Sequence, residues 1–427
     1  MTATLPVIIA GAGISGLLLA QHLHMKSIPF EIYERDTDMT TRGIGWGLTL
    51  HWSLPALRVL LPEDIFSRLP ETNINQAAYK AGRESRFPFY DLSTGELQAA
   101  TPQVPQNPRI RVGRQKLREL LATGIDVKWG KAVKDFTDNK DNVTVTFDDE
   151  TTTTGRLLVG CDSRSSRIRR RICPDHEPYR IPIRVMGCQF FYPPEKLEGM
   201  GKLDPFFLQG TASENDSFMY FSVLDSPGNA GNTTGKYNCQ VCVSWPFREG
   251  FFGSSEPTEM PPTKETKTEL VRKLAATWKD PFRSFVLGIP EDTEFIGLDL
   301  TDFPPPKGLR SQGRVTLMGD AIHAMAMYRG EGANHAIVDV LEFSQKVTPL
   351  LVPIPRPDVM SAASPAGANV RSALDEYEDG VVKRTRPGVL ASRRACLDAH
   401  DFARIGKTSP LLSKRAMLLD SDEEEEE

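Results

Sequence analysis

The chain has no run of about 18 apolar residues anywhere in its 427, so no membrane-spanning helix is expected. It has no strong excess of charge of either sign, with a formal net charge of −5. A nucleic-acid surface, which depends on a concentrated positive field, is therefore not expected. Seven acids at Asp420, Asp422 and Glu423 to Glu427 outweigh that whole negative excess. They read as the end of a solvated, flexible tail over residues 406–427. Cysteines are few and scattered, at positions 161, 173, 188, 239, 242 and 396. The one close pair lies in "YNCQVCVSW", which alternates like a strand. Residues three apart on a strand face opposite ways, so Cys239 and Cys242 are poor metal partners, and no metal site is expected. Free thiols point to a reducing, cytoplasmic setting. The apolar N-terminus lacks the basic residues that open a secretory signal and is broken by glycines. No internal repeat is visible, and at roughly 150 residues per domain the length allows two or three domains.

What the chain does have is glycine in patterned positions. "LPVIIAGAGISGLLLAQHLHMKSIPFEIYERD" reads as strand, turn, helix, strand. Gly11, Gly13 and Gly16 form G-x-G-x-x-G, with Ala12 and Ser15 between them. The first glycine permits a tight turn, the second lets backbone approach a pyrophosphate, and the third lets the helix pack on the strand. The helix start carries a partial positive charge that favours phosphate. The second strand ends in Glu34, followed by Arg35. An acid about 20 residues after the glycines accepts the ribose hydroxyls of an adenosine. These residues predict a dinucleotide site but leave NAD and FAD open.

Two further segments bear on the choice. "LLVGCDSRSSRIRR" is an apolar strand ending in Asp162, with Ser166 and Arg169 on the following turn. "VTLMGDAIHAMAMYRGEGANHAIVDV" is a strand ending in Gly319 and Asp320, then a turn with Gly330, Gly332, Ala333 and Asn334 that opens a helix. Three cofactor-type signatures, spread from Gly11 to Asn334, call for one long ligand gripped by distant parts of the chain.

On these motifs the sequence resembles the class A FAD-dependent aromatic hydroxylases and monooxygenases, the para-hydroxybenzoate hydroxylase-like group, in its fungal FAD-binding branch. The resemblance covers about residues 5–405. It implies that Gly11, Gly13, Gly16 and Glu34 bind the ADP half of FAD. Arg114 in "RVGRQKLREL" matches the family's Arg-x-x-Leu contact to FAD. Asp162, Ser166 and Arg169 match the motif linked to both FAD and the nicotinamide donor. Gly319 and Asp320 match the motif on the ribityl and pyrophosphate region, and Gly330 to Asn334 lie at the ring end. "RGIGWGLTLHW" (Arg42 to Trp52) matches the glycine-rich segment beside the flavin, with Gly47 its expected contact. Two positions depart from the family pattern: Ser163 replaces a glycine and Met327 a proline.

The implied fold is α/β: a Rossmann-type FAD-binding domain of the glutathione-reductase-like kind, with an inserted antiparallel-sheet substrate domain and a C-terminal helix. The expected boundaries are 1–180 with 302–350 for the FAD domain, 181–301 for the sheet domain, and 351–405 for a Pro/Ala/Ser loop and the final helix. From Arg180 to about Thr301 the segments "RIPIRVMGCQFFYP", "SFMYFSVLD" and "KYNCQVCVSWP" support this, being alternating or aromatic strands. Arg184, Gln209 and Tyr220 are the candidate pocket residues there, Gln209 for substrate and the other two for catalysis. His51 is the candidate general base, while His323 and His335 read as structural.

The resemblance implies transient NADPH or NADH as hydride donor to FAD, and O₂ captured as a flavin C4a-hydroperoxide. Its distal oxygen would then pass to a hydrophobic small molecule, by aromatic hydroxylation or alkene epoxidation in secondary metabolism. The protein would be a monomer or homodimer. A flavin oxidase or dehydrogenase on the same fold, and a non-catalytic binding protein that has lost flavin, stand as alternatives. A halogenase does not, because the W-x-W-x-I-P segment of that group is absent.

Overall fold

The computed structural model describes residues 4–41, 43, 45–83, 85–101, 109–352 and 370–413. Arg42, most of the Pro/Ala/Ser loop and the acidic end of the tail lie outside them. One layer is a parallel sheet of five strands. Its order is Val315–Leu317, Leu157–Gly160, Val7–Ala10, Phe30–Tyr33 and Val127–Lys128. The central strand, Val-Ile-Ile-Ala, is buried at every position, as a parallel strand covered on both faces must be. The strand order reverses direction beside Val7–Ala10, and in such open sheets ligands bind beyond the carboxyl ends of the strands at this switch point. Those ends lead here into Gly11, Glu34, Asp162 and Asp320.

The helix Ile14–Met25 is buried from Ile14 to Leu23 without interruption. Its apolar circumference is explained by packing on the sheet and on a second helix, Gly332–Lys346. A long final helix, Val370–Asp398, lies against the latter. Gly388 allows this approach, since a Cβ there would come within 2.8 Å of His335 Nε2. Among the described residues no helix is long and apolar enough to cross a membrane, and all six cysteines are free and buried.

The second large layer is a seven-stranded sheet with its own apolar core, covered by the helices Lys264–Ala275 and Phe282–Leu287. Its longest pairing, Ile183–Tyr192 with Tyr237–Pro246, is antiparallel over ten residues. Five strands come from the 181–301 segment expected to form the insert. Two more, Phe89–Asp91 and Leu97–Ala99, join from outside that range, and Phe89–Asp91 runs parallel to Phe207–Thr211. A short two-stranded sheet pairs Gly47–Leu50 with Ile110–Gly113.

A candidate cofactor and substrate cavity

A single cavity of about 810 Å³ brings the sequence motifs together. Gly11, Gly13, Ser15, Glu34 and Arg35 line it, as do Gly47, Arg114, Asp162, Asp320, Gly330, Gly332 and Ala333. Arg114, Asp162 and Asp320 thus line one cavity although no local pattern connects them.

The glycine turn shows the division of labour expected of it. Gly11 has φ +110°, and a Cβ there would sit 2.4 Å from the Cys161 carbonyl oxygen. A Cβ on Gly16 would sit 2.0 Å from the Gly11 oxygen. Both glycines serve the fold, and Gly16 does not line the cavity. Gly13 differs: a Cβ there would meet no protein atom within 4 Å. That open space would let a ligand approach the backbone closely. Glu34 is 5% exposed and fixed at the wall, its two carboxylate oxygens accepting the Ala12 N–H at 2.8 Å and the Asp36 N–H at 3.2 Å. Ala12 is thereby committed to Glu34. Arg118, not anticipated, supports the same turn by donating to the Ala12 carbonyl at 3.1 Å.

Further observations fit FAD. The helices Ile14–Met25 and Gly332–Lys346 both begin without a side-chain cap, and residues of each first turn line the cavity. Their unsatisfied N–H groups and positive dipole ends suit a pyrophosphate and an electron-rich ring edge. Asp162 keeps one oxygen on the N–H groups of Arg167 and Ile168. Its other oxygen is buried without a partner, and a ligand hydroxyl would satisfy it. Burial, against these hydrogen bonds, raises the Asp162 pKa above the usual carboxylate value. Ser163 has φ +72°, the left-handed conformation in which a glycine would be unstrained.

Behind Asp320, Asp339 is fully buried and organises the turn. It accepts the Gly319 N–H at 2.8 Å, faces His323 Nε2 at 2.7 Å and receives Arg384 Nη2 at 2.6 Å. Burial alone would raise its pKa, but the His323 ring and the Arg384 guanidinium outweigh this and hold the carboxyl far below its ordinary value. His323 is thus structural, as is His335, whose pKa burial and Arg384 push well down.

Several expected site residues lie elsewhere. The Asn334 side chain turns from the cavity. It accepts from His51 N–H and Ser53 Oγ and donates to the Thr49 carbonyl at 2.9 Å, tying the Gly332–Lys346 helix to the Gly47–Leu50 strand. His51 packs beside Trp52 and does not line the cavity. Arg184 pairs with Glu259 at 3.1 Å and stacks on Phe247, while its neighbour Val185 lines the cavity. The reason is parity: adjacent residues on a strand face opposite sides. Gln209 and Tyr220, paired across adjacent strands, do line it. Gly47 lines it too, but its missing Cβ makes room for the Arg111 guanidinium. Arg111 and Gln240 were overlooked, although a cation inside the buried run Ile110–Gly113 was a legible signal.

Comparison with known proteins agrees with this geometry. Residues 4–208 and 309–352 match the family described as FAD binding domain. Over 99% of its length the chain is 41% identical to the "Probable FAD-dependent monooxygenase" of Arthroderma benhamiae, covering 98% of that protein. It is 37% identical to the FAD-dependent monooxygenase dbaB of Emericella nidulans over 81% of this chain and 87% of that one. Among solved structures, 2,6-dihydroxypyridine-3-hydroxylase of Arthrobacter nicotinovorans matches with TM-score 0.70 and 15% identity, covering 99% of both chains. HpxO of Klebsiella pneumoniae, complexed with FAD and uric acid, matches with TM-score 0.69 and 19% identity, over 94% of this chain and 90% of that one. These structural likenesses carry the fold.

Proposed function

This chain belongs to the FAD-binding family of flavin monooxygenases, and on that premise we propose that it consumes NADPH or NADH with O₂. It inserts one oxygen atom into a hydrophobic small molecule of secondary metabolism, by aromatic hydroxylation or alkene epoxidation. The observation that carries the reading is the continuity of the cavity. The cofactor motifs line one part of it, and Val185, Phe207, Phe218, Gln209 and Tyr220 of the large sheet line another. Bound FAD would supply the redox chemistry, taking two electrons from the donor and using them to activate O₂.

The protein's own part is to bind, orient and exclude water. Glu34 would hold the adenosine ribose, and the open backbone at Gly13 the pyrophosphate. Arg114, Asp162 and Asp320 are suited to the phosphates and sugar hydroxyls between adenine and ring. The start of Gly332–Lys346 offers its positive end to the ring's electron-rich edge. Val185, Phe207 and Phe218 on the sheet wall would help keep water from the reacting face.

The test is turnover of purified, FAD-loaded protein with NADPH under ¹⁸O₂ against a panel of aromatic and polyene compounds. The expected result is substrate-accelerated NADPH oxidation with one ¹⁸O in the product. Substrate oxidation with stoichiometric H₂O₂, no label and no need for NADPH would overturn the reading in favour of an oxidase.

A further inference from the structure

The substrate part of the cavity stands on a row of cross-strand neighbours in the large sheet. Gln209 lies opposite Tyr220, Tyr220 opposite Cys242, Cys242 opposite Gly187, and Gly187 opposite Ile296 of the edge strand Ile296–Leu298. Directly opposed residues project from the same face of a sheet, so all five share the cavity side. Four strand spacings make the row roughly 19 Å long. Its chemistry changes along that length. Gln209 and Tyr220 are polar and line the cavity. Ile296, at the other end, is apolar and 59% exposed. Parity shows which way it faces. Leu298, two residues on, lines the cavity, whereas the intervening Gly297 meets Met260 on the opposite side.

Trp46 joins the two ends. Its ring lies over Gly187, where an added Cβ would be 3.6 Å from Trp46 Cη2. Trp46 lines the cavity and is 38% exposed. Its backbone is held on both sides. The Gly45 carbonyl accepts from Gln189 Nε2 at 2.9 Å, and the Trp46 carbonyl accepts the Arg114 N–H at 2.9 Å. The indole therefore stands on a fixed base at the cavity mouth. Leu298 pairs with Val185, and both line the cavity. Val185, Leu298, Trp46 and Ile296 thus form one apolar track that begins inside the cavity and ends in solvent at the edge of the sheet. Apolar side chains left exposed together, and continuous with a pocket, mark a surface that a ligand covers.

We propose that this track seats an apolar arm of the substrate. The polar head lies inside, on the Gln209 side of the row, and the arm runs past Trp46 and over Ile296 to the sheet edge. The occupant is the substrate because Leu298 and Trp46 belong both to the cavity and to the track. This rests on the monooxygenase reading of the cavity and narrows its hydrophobic substrate to an elongated compound. Such a compound carries an alkyl or alkenyl chain, or a further ring, at the end remote from its polar groups. Trp46 and Ile296 are specificity-determining residues for that arm.

The test needs neither NADPH nor turnover, so its failure is separate from failure of oxygen insertion. Phenyl ketones of increasing chain length, from acetophenone to octanophenone, are titrated into oxidised, FAD-loaded enzyme. The Kd is read from the perturbed flavin absorption spectrum. It should fall about two- to fourfold per added methylene, the upper figure being that of full burial, and level off once the chain passes the sheet edge. Ile296→Asp, at an exposed position of an edge strand, should leave the affinities for FAD and acetophenone unchanged. It should weaken octanophenone about tenfold or more, because the arm would then desolvate a carboxylate. Ile296→Leu should bind octanophenone as the wild type does. Trp46→Ala should flatten the dependence on chain length and Trp46→Phe keep part of it. Absence of binding across the series, a Kd that does not fall with chain length, or the same fall in Ile296→Asp would overturn the proposal. So would a changed oligomeric state of Ile296→Asp in analytical ultracentrifugation with the chain-length dependence intact, since the patch would then belong to a second copy of this chain. If Trp46→Ala does not hold FAD, Ile296→Asp decides by the same series.

Discussion

Gly11 and Gly13 stand two residues apart in one turn, yet alanine at each should have opposite consequences. Gly13 has φ −81° and ψ −169°, an extended conformation open to any residue, and a Cβ there touches no protein atom within 4 Å. Gly13→Ala should leave the FAD-free protein as stable as before, or raise its stability by about 0.4–1 kcal/mol through the less flexible unfolded chain. The methyl group would instead occupy the space assigned to the pyrophosphate. Loss of one hydrogen bond to a charged phosphate removes about 1.5–3 kcal/mol, which is roughly 10- to 150-fold in the Kd for FAD. Gly11→Ala drives its Cβ against the Cys161 carbonyl at 2.4 Å with φ +110°, so it should fail to fold or unfold at much lower urea. The assay pairs urea unfolding of FAD-free protein with titration of FAD by quenching of its fluorescence. Wild-type FAD affinity in Gly13→Ala would refute the placement of the phosphates, and wild-type stability in Gly11→Ala would refute the packing argument.

Other consequences can be checked in the same way. Ser163→Gly should stabilise the protein by about 0.5–1 kcal/mol, because relief of the left-handed strain at φ +72° exceeds the added chain entropy of glycine; urea unfolding measures it. Asp339→Asn keeps only one acceptor oxygen, so either Arg384 or the Gly319 N–H loses its buried partner while Arg384 keeps Glu342; it should cost about 1–3 kcal/mol, with FAD lost in parallel during thermal melting. Burial lowers the pKa of His22 to about 4 and of His400 to about 4, and that of His335 well below its usual value. The unfolded chain therefore takes up protons below pH 6.5 that the folded chain cannot. Stability should fall as pH drops from 6.5 to 5.5, each ring contributing up to about 1.4 kcal/mol per pH unit. Burial raises the carboxyl pKa values of Asp204 and Asp302, and these groups oppose the trend at lower pH. A flat urea-stability profile across that pH interval would contradict the histidine burial.

The cofactor end of this protein was determined by the sequence itself. Each of its motifs is one continuous strand, turn and helix start, so Gly13, Glu34 and Asp320 follow from local chemistry: backbone freedom, an acid at a strand end, N–H groups at a helix start. The substrate end was decided only in tertiary structure. The central strands Phe207–Thr211 and Tyr237–Pro246 of the large sheet are buried on both faces, so composition does not tell which face meets the cavity, and on Ile183–Tyr192 a shift of one residue exchanges Arg184 for Val185. Asn334, placed in the cofactor motif by spacing, was claimed by Thr49, His51 and Ser53 across the fold. Arg111 meets Tyr220 and Ser222 only across the fold, more than a hundred residues away. Whether a buried charge is paired depends on which distant side chains the strand register brings beside it, and register is settled by the packing of the whole sheet.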